Sequence, residues 1–467
     1  MAPSYENYDD VAWDYNDALF QAWRKTLLKE DLQRAIARLI MKHRMGGQPV
    51  EICAPRKGAF NVHYRLKYMS KPDALARFPI PAYFRSAEEK LAAEVATIRY
   101  VADHTTIPLP FVLHHGTREE SPRNINGDLM GPFVIMEWVE NTGDMGDALN
   151  TPGLIREDHP ILDPAIDETR LAHLYGQMAD VLLQLSQCTF PAIGSLSLAT
   201  ASDYYRALAD LHLQQLVYQR NDAVRSARDA RKKYVARHLF CKLAAEDRLA
   251  GGGSDENGKH ERDGPFPLWC DDFRPTNVLV NQDETIAAVI DWEYSYAAPV
   301  DFVRCPPWWL LLVAPEDWKG GLDDWAAHYE PRLDTFLRVL ALRDDPRSTG
   351  AGAGRRLAEH MRASWQTGHF WVVYAAQRTF AFDGIYWRFL DKKFFESGPG
   401  SGSGGAASGD IDPDVSYPDD ATLEARIDEL SPEQVAAMDD FVARKLREKE
   451  EGGLVDWYAL EASQPVV

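Results

Sequence analysis

Cysteine is scarce in this chain. Its 467 residues include five cysteines, and no two of them have the Cys-x-x-Cys spacing. An odd number without paired spacing argues against both a disulfide framework and a zinc site. We therefore expect a protein of a reducing compartment.

Long apolar runs are also missing. No apolar stretch reaches the 18 residues that a transmembrane helix needs, and the longest candidate covers only residues 308–314. The first 17 residues are acidic and aromatic, without the basic and apolar regions of a secretory signal. These features predict a cytoplasmic protein that has no membrane partner.

Basic residues are outnumbered, since 51 Lys and Arg face 71 Asp and Glu, a net charge of −20. Such an imbalance disfavours binding along a polyanion, so we expect no nucleic-acid partner. Residues 399–467 contain sixteen acidic and five basic residues, a net charge of −11. The acidity is therefore largely a property of the C-terminal tail.

The N-terminal part shows a helix followed by short strands. Leu32, Ile36, Leu39 and Ile40 recur at helical spacing before a glycine pair at 46–47. One further helix is predicted over 86–103. The β-prone runs, each bounded by turn residues, are 50–53, 60–68, 74–78, 109–114 and 132–139. This pattern predicts a small antiparallel α+β lobe.

From Asp163 onward the apolar spacing becomes helical. The basic run at 220–238 favours a solvent-exposed helix face over a phosphate site. Ser431, followed by Pro432 and Gln434, predicts a last helix that ends near Glu450. The predicted divisions are an extension with an entry helix (1–47), a nucleotide-binding lobe (48–140), a catalytic and substrate-binding lobe (141–396), a flexible linker (397–418) and an acidic helical tail (419–467).

The most informative stretch is LWCDDFRPTNVLVNQDETIAAVIDWEYSYAAPVDFVRCPP, from Leu268 to Pro307. Two apolar runs in it predict strands joined by a turn. Asp272 precedes the first strand, Asn277 opens it and Asp291 ends the second, so one hairpin can carry all three into a cleft. Phosphoryl transfer needs a carboxylate to accept a proton and oxygen ligands for magnesium. We interpret Asp272 as the base and Asn277 and Asp291 as the ligands, although each alone could simply cap a turn.

The segments WCDDFRPTNVLVN, VIDWEYSYAAPVDF and PPWWLLL resemble the aminoglycoside phosphotransferase and choline kinase-like superfamily, and within it a fungal branch. The resemblance extends from about Lys57 to Glu450. It implies a bilobal, protein-kinase-like α+β fold with a small antiparallel sheet and one main helix in the first lobe. The second lobe would be larger and mostly helical.

The resemblance also implies roles for residues at the phosphates. Gly58 and Phe60 belong to a segment similar to the nucleotide loop of the family. Arg77 stands where the family has a basic residue that reaches the phosphates, and its carboxylate partner is predicted to be Glu94, with Glu89 as the alternative. The alternative role for Arg77 is a surface salt bridge.

Met136, Glu137 and Val139 are similar to the strand and hinge that pack against adenine in the family. Arg274, two residues after the base, is predicted to reach the transferred phosphate, or else to pair with Asp271 or Asp301. Cys270 departs from the family because it replaces a bracing His.

We therefore predict an O-phosphotransferase that uses ATP, with GTP possible, and Mg²⁺ to phosphorylate a hydroxyl of a small molecule. Two alternatives stay open. Cys270, Arg77 and a loop with a single glycine are also compatible with a pseudokinase-like module that binds a ligand or partner without catalysis. A protein kinase is less favoured, because the chain has no recognisable activation segment. The sequence selects neither an acceptor nor an oligomeric state.

Overall fold

The computed structural model describes residues 9–70, 72–81, 83–84, 86–154, 160–194, 200–251, 261–343, 352–395 and 418–454. The predicted linker falls outside these residues, apart from its last position, and so does the chain beyond 454. Two lobes are present, each with its own antiparallel strands.

Two helices precede the first sheet, α1 (Asp10–Leu27) and α2 (Glu30–His43). The sequence patterns predicted the second helix but missed the first. Asp9 caps α1 by accepting a hydrogen bond from the N–H of Ala12 at 3.0 Å. The other end of α1 buries Phe20 and Leu27 in the core of the first lobe.

The first lobe contains a six-stranded antiparallel sheet in the order β1-β3-β4-β6-β5, with β2 added beside β3. Helix α3 (Ala87–His104) lies against it through Leu91 and Val95. The strands are β1 (Pro49–Ile52), β2 (Arg56–Lys57), β3 (Asn61–Tyr68), β4 (Ala74–Pro79), β5 (Val112–Gly116) and β6 (Phe133–Glu137). Strand β5 starts later than predicted, because Pro108 and Pro110 cannot donate backbone hydrogen bonds to a neighbouring strand.

The second lobe is mostly helical and has two three-stranded sheets. One sheet joins β7 (Gly143–Asp144), β10 (Val278–Val280) and β11 (Ile286–Val289), and the other joins β8 (Thr189–Phe190), β9 (Phe266–Cys270) and β12 (Ser295–Ala297). Its helices are α4 (Met145–Leu149), α5 (Glu168–Gln187), α6 (Ala201–Tyr218), α7 (Ala227–Ala245), α8 (Val300–Val303), α9 (Gly321–Leu340), α10 (Ala353–Gln366), α11 (His369–Gln377), α12 (Phe382–Ile385) and α13 (Asp391–Phe395).

Two C-terminal helices, α14 (Asp420–Ile427) and α15 (Pro432–Glu451), pack against α7. The predicted cap is present, since the Ser431 hydroxyl and the Gln434 side chain form a capping box. Met438, Phe441 and Val442 of α15 belong to the core of the second lobe. The C-terminal helices cover part of the basic run on α7: Arg228 and Arg231 pair with Asp420 and Asp439 but remain 36% and 43% exposed. Lys242, beyond the run, pairs with Glu429.

The predicted fold class, α+β with a small sheet lobe and a larger helical lobe, is confirmed. Among the described helices, none has both the length and the hydropathy that a membrane crossing needs.

Candidate active site

The hairpin of β10 and β11 brings three of the predicted residues together. Val278 pairs with Val289, and the N–H of Ile290 donates to the carbonyl of Asn277 at 2.9 Å. The side-chain amide of Asn277 donates to the backbone oxygen and to Oδ2 of Asp272, at 2.8 and 2.9 Å. Asp272 and Asn277 therefore form one unit, and Asp291 follows directly at the end of the hairpin.

Arg274 lies beside the predicted base, with its Nε 3.0 Å from Oδ1 of Asp272. The alternative partners, Asp271 and Asp301, are bound elsewhere. The carboxylate of Asp271 accepts hydrogen bonds from three neutral side chains, and that of Asp301 accepts one from the N–H of Gly251. The predicted ion pair with Asp271 or Asp301 is thus wrong, because Asp272 is the carboxylate that Arg274 reaches.

Asp291 adopts a left-handed backbone conformation, with φ of 60°. Burial raises its pKa to about 6, and although Arg77 opposes this shift, the charges of Glu293, Glu94 and Asp272 add to it. Excess negative charge of this kind favours a bound cation.

The donor set around Asp291 fits magnesium. Asn277 uses its amide nitrogen for Asp272, so its oxygen stays available as a second ligand beside the Asp291 carboxylate. No group of three or more His, Cys, Asp or Glu side chains within the described ranges is arranged to hold a metal. Protein sites often hold Mg²⁺ through one or two side chains together with water and nucleotide phosphates, and Asn277 and Asp291 would supply two.

Arg77, on β4, is buried and joins the two lobes. Its guanidinium pairs with Glu94 of α3 and lies 3.2 Å from Oδ1 of Asp291. Burial alone would lower the pKa of Arg77, but Glu94 and Asp291 raise it above its ordinary value. Its buried Nε has no hydrogen-bond partner in the part of the chain that the structure describes, so one donor remains unsatisfied. Glu89, the alternative partner, is exposed.

A second ion pair between the lobes was missed by the sequence patterns. Lys90 of α3 lies 2.7 Å from Glu293, two residues after Asp291. The side-chain amide of Asn61 donates to the same carboxylate at 3.4 Å. We refer to Arg77, Glu94, Asp291, Lys90 and Glu293 as the cleft cluster. The spacing of Lys90, one helical turn before Glu94, places it on the same face of α3 but does not indicate its partner in the second lobe.

The predicted nucleotide loop lies over this cluster. The N–H of Gly58 donates to the carbonyl of Asn61 at 2.8 Å and closes the turn between β2 and β3. Phe60 contacts Tyr294 of the second lobe, with ring centroids 6.1 Å apart. The loop therefore reaches across the cleft through an aromatic side chain. A Cβ on Gly58 would meet only an ordinary contact, so this position does not require glycine for space.

The predicted hinge residues lie at the end of β6. Met136 is buried, and the N–H of Glu137 donates to the carbonyl of Phe111 at 2.9 Å. The carbonyl of Val139 accepts a hydrogen bond from Asn141 at 2.9 Å. Its N–H has no partner among the residues that the structure describes, so Val139 offers a free donor to a base edge.

Cys270 occupies the position of the missing His. Its Sγ is buried, 4.0 Å from the carbonyl of Asp291. Burial raises the pKa of this thiol to about 12, so the sulfur stays protonated at neutral pH and acts as a weak donor. The structure thus places Cys270 as a brace between the loop of Asp272 and the residue Asp291.

Comparisons with known proteins point to one family. The family model described as "Phosphotransferase enzyme family" matches residues 51–340. No curated protein matches the chain.

Solved structures give further similarities. A thermostable mutant of an aminoglycoside phosphotransferase, in ternary complex with AMP-PNP and hygromycin B, is 16% identical, with 76% of this chain and 99% of that chain covered and a TM-score of 0.41. The macrolide 2′-phosphotransferase of Brachybacterium faecium is 15% identical, with coverages of 73% and 92% and a TM-score of 0.36. The ethanolamine kinase of Plasmodium vivax is 10% identical, with coverages of 84% for both chains and a TM-score of 0.38.

Proposed function

This chain belongs to the phosphotransferase enzyme family, and from that premise we propose that it transfers the γ-phosphoryl group of ATP to a hydroxyl of a small molecule, with magnesium bound at Asn277 and Asp291. The predicted superfamily and the enzyme class are thereby confirmed, whereas the fungal branch stays a prediction.

The observation that carries the proposal is the position of Asp272. Its Oδ2 is held by Asn277, and its Oδ1 by Arg274, at the end of the hairpin that also carries Asp291. A carboxylate fixed in this way can orient an acceptor hydroxyl and take up its proton. We assign Asp272 as the general base and Arg274 as a cation beside the transferred group.

Transfer is a single displacement at the γ-phosphorus. The acceptor oxygen forms a bond to the γ-phosphorus while its proton passes to Asp272. The bond between the γ-phosphorus and the bridging oxygen breaks, and ADP leaves with the electron pair. Magnesium, when bound, neutralises charge on the phosphates. Arg77 would bind a phosphate oxygen through its free Nε, and Val139 would donate to adenine.

The test is ADP formation and product mass in a panel of small hydroxyl compounds. Asp272→Asn should lower turnover by about 10³-fold, because the base is lost while the size of the side chain is kept. Asp283→Asn is the matched control, since Asp283 lies in the turn of the same hairpin and is exposed. Equal activity of Asp272→Asn and the unaltered protein would contradict the assignment.

A non-catalytic binding module is the second candidate, and Cys270 and Arg77 favour it. The two candidates differ in one measurement. If ATP binds with Mg²⁺ but no panel member yields a phosphorylated product, the binding module replaces the enzyme. If Asp272→Asn removes transfer but keeps ATP binding, the enzyme stands.

A further inference from the structure

A small cavity lies in the second lobe beside the loop of Asp272. Its volume is about 40 Å³, and apolar side chains form most of its wall. Trp269, Asp271, Trp308, Tyr374 and Gln377 also line it. Asp271 and Phe273, the neighbours of the proposed base in the chain, both line this cavity, so it lies beside the loop that carries Asp272.

The carboxylates of this region already have partners. Oδ1 of Asp271 accepts hydrogen bonds from Trp269, from Tyr296 at 3.2 Å and from Gln377 at 3.0 Å. Glu316 accepts one from the hydroxyl of Tyr374 at 2.7 Å. Burial raises the pKa of both acids, although the hydrogen bonds and the charge of Arg378 oppose the shift. Neutral donors therefore satisfy both acids within the protein.

Arg378 follows Gln377 of the cavity wall in the chain, and its charge acts on both acids. Its guanidinium lies 5.6 Å from the ring centroid of Trp308 and 6.0 Å from that of Tyr374. The side chain is half-buried, yet within the described ranges it has neither an ion pair nor a hydrogen bond. By contrast, Arg77, Lys90 and Arg274 are each paired with a carboxylate.

We infer that Arg378 binds an oxyanion of the phosphoryl acceptor, either a carboxylate or a phosphate ester, while Trp308 contacts the body of the molecule. This inference rests on the proposed function, since it names the substrate class of the same site. A guanidinium presents its hydrogen-bond donors in a plane, in an arrangement that matches both oxyanions. Contact with an aromatic ring restricts the orientation of the guanidinium in the absence of ligand.

The experiment compares ligands that share a six-carbon hydroxylated skeleton. Gluconate carries a carboxylate, glucose 6-phosphate a phosphate ester, glucose no charge, and glucosamine a positive charge. Each is titrated into the full chain by calorimetry, with and without AMP-PNP and Mg²⁺. We expect at least one of the two anions to bind more tightly than glucose and glucosamine, and their ratio to tell the two oxyanion sources apart.

Variants assign the binding to one side chain. Arg378→Gln should weaken anion binding by about tenfold or more, because charged hydrogen bonds are lost. Arg378→Lys should restore part of it, since the charge returns without the fork. Arg338→Gln is the control, because Arg338 is an exposed arginine of the same lobe that pairs with Glu168. Tighter binding of glucosamine, binding of neither anion, or unchanged affinity in Arg378→Gln would each overturn the inference.

Two results distinguish the oxyanion site from the phosphotransferase activity. ATP-dependent phosphorylation of a neutral or cationic acceptor, unaffected by Arg378→Gln, would refute the inference and leave the phosphotransferase intact. Anion binding that depends on Arg378, in a protein that never transfers phosphate, would refute the enzyme and leave the oxyanion site.

Discussion

In two regions of this molecule, ion pairs connect parts of the chain that are distant in sequence. The cleft cluster joins the lobes, and the tail interface, formed by Arg228–Asp420, Arg231–Asp439 and Lys242–Glu429, joins α7 to the C-terminal helices. They differ in burial. The side chain of Glu94 is 3% exposed, whereas that of Asp420 is 87% exposed.

The difference shows that burial, not the number of ion pairs, decides what a charge does. An exposed pair contributes at most about 1 kcal/mol, so the tail interface must depend mainly on its apolar contacts. In the cleft cluster the side chains of Arg77, Glu94 and Glu293 are at most 9% exposed, so removal of one partner leaves a buried charge uncompensated. The same burial leaves the Nε of Arg77 available for a ligand.

The largest effect on stability is expected from Glu94→Gln. It leaves the buried Arg77 with Asp291 as its remaining carboxylate contact, so we expect a loss of about 4 kcal/mol in the free energy of unfolding, measured with urea. Glu89→Gln is the matched control, because Glu89 is exposed on the same helix. Equal losses in the two variants would mean that burial does not distinguish the cleft cluster.

Phe441→Ala tests the apolar side of the comparison. Phe441 is buried in the core of the second lobe. Its ring packs against that of Tyr234 of α7, with the ring centroids 5.0 Å apart. Its truncation should lower the free energy of unfolding by about 3 kcal/mol. Val435→Ala on the same helix is the control, because Val435 is 40% exposed. A loss below that of the control would show that the ion pairs hold the tail after all.

Acid pH should change stability in opposite directions through a buried histidine of α6 and through the cleft. His212 is fully buried, and burial, aided by the charge of Arg237, lowers its pKa to about 3. Below pH 6.5 the histidine becomes protonated in the unfolded chain but stays neutral in the folded protein. The free energy of unfolding therefore falls as the pH falls. Asp291, whose pKa is raised, acts in the opposite direction.

We expect His212 alone to remove about 2 kcal/mol between pH 7 and pH 5. His212→Gln should flatten this part of the unfolding profile, because the group with the lowered pKa is then absent. An equally steep profile in His212→Gln would show that other groups cause the acid sensitivity.

The sequence patterns predicted the parts of the site that are formed by residues close together in the sequence. The two apolar runs around Val278 and Val289 predicted the hairpin, and the places of Asp272, Asn277 and Asp291 beside it follow from their positions in the sequence. The pairing of Arg77 with Glu94 needed the family resemblance, because these residues meet only when α3 packs on the sheet.

Three features had no local signal. Lys90 and Glu293 are 203 positions apart, and only the closing of the two lobes brings them into contact. The tail interface likewise joins residues that are far apart, so the basic run at 220–238 was indistinguishable from a solvated helix face. Helix α1 was missed because its apolar residues are mixed with acidic ones and its outer side exposes Trp13 and Tyr15.

The smallest effect is expected from Arg231→Gln in the tail interface. Its nitrogen lies 2.7 Å from Asp439, but the two side chains are 43% and 78% exposed. Water replaces the lost partner at both groups, so the free energy of unfolding should change by less than about 0.5 kcal/mol. The residual effect should disappear in 1 M salt, where the screening length falls to about 3 Å. A loss as large as that of Phe441→Ala, unaffected by salt, would mean that charge and not apolar packing holds the C-terminal helices.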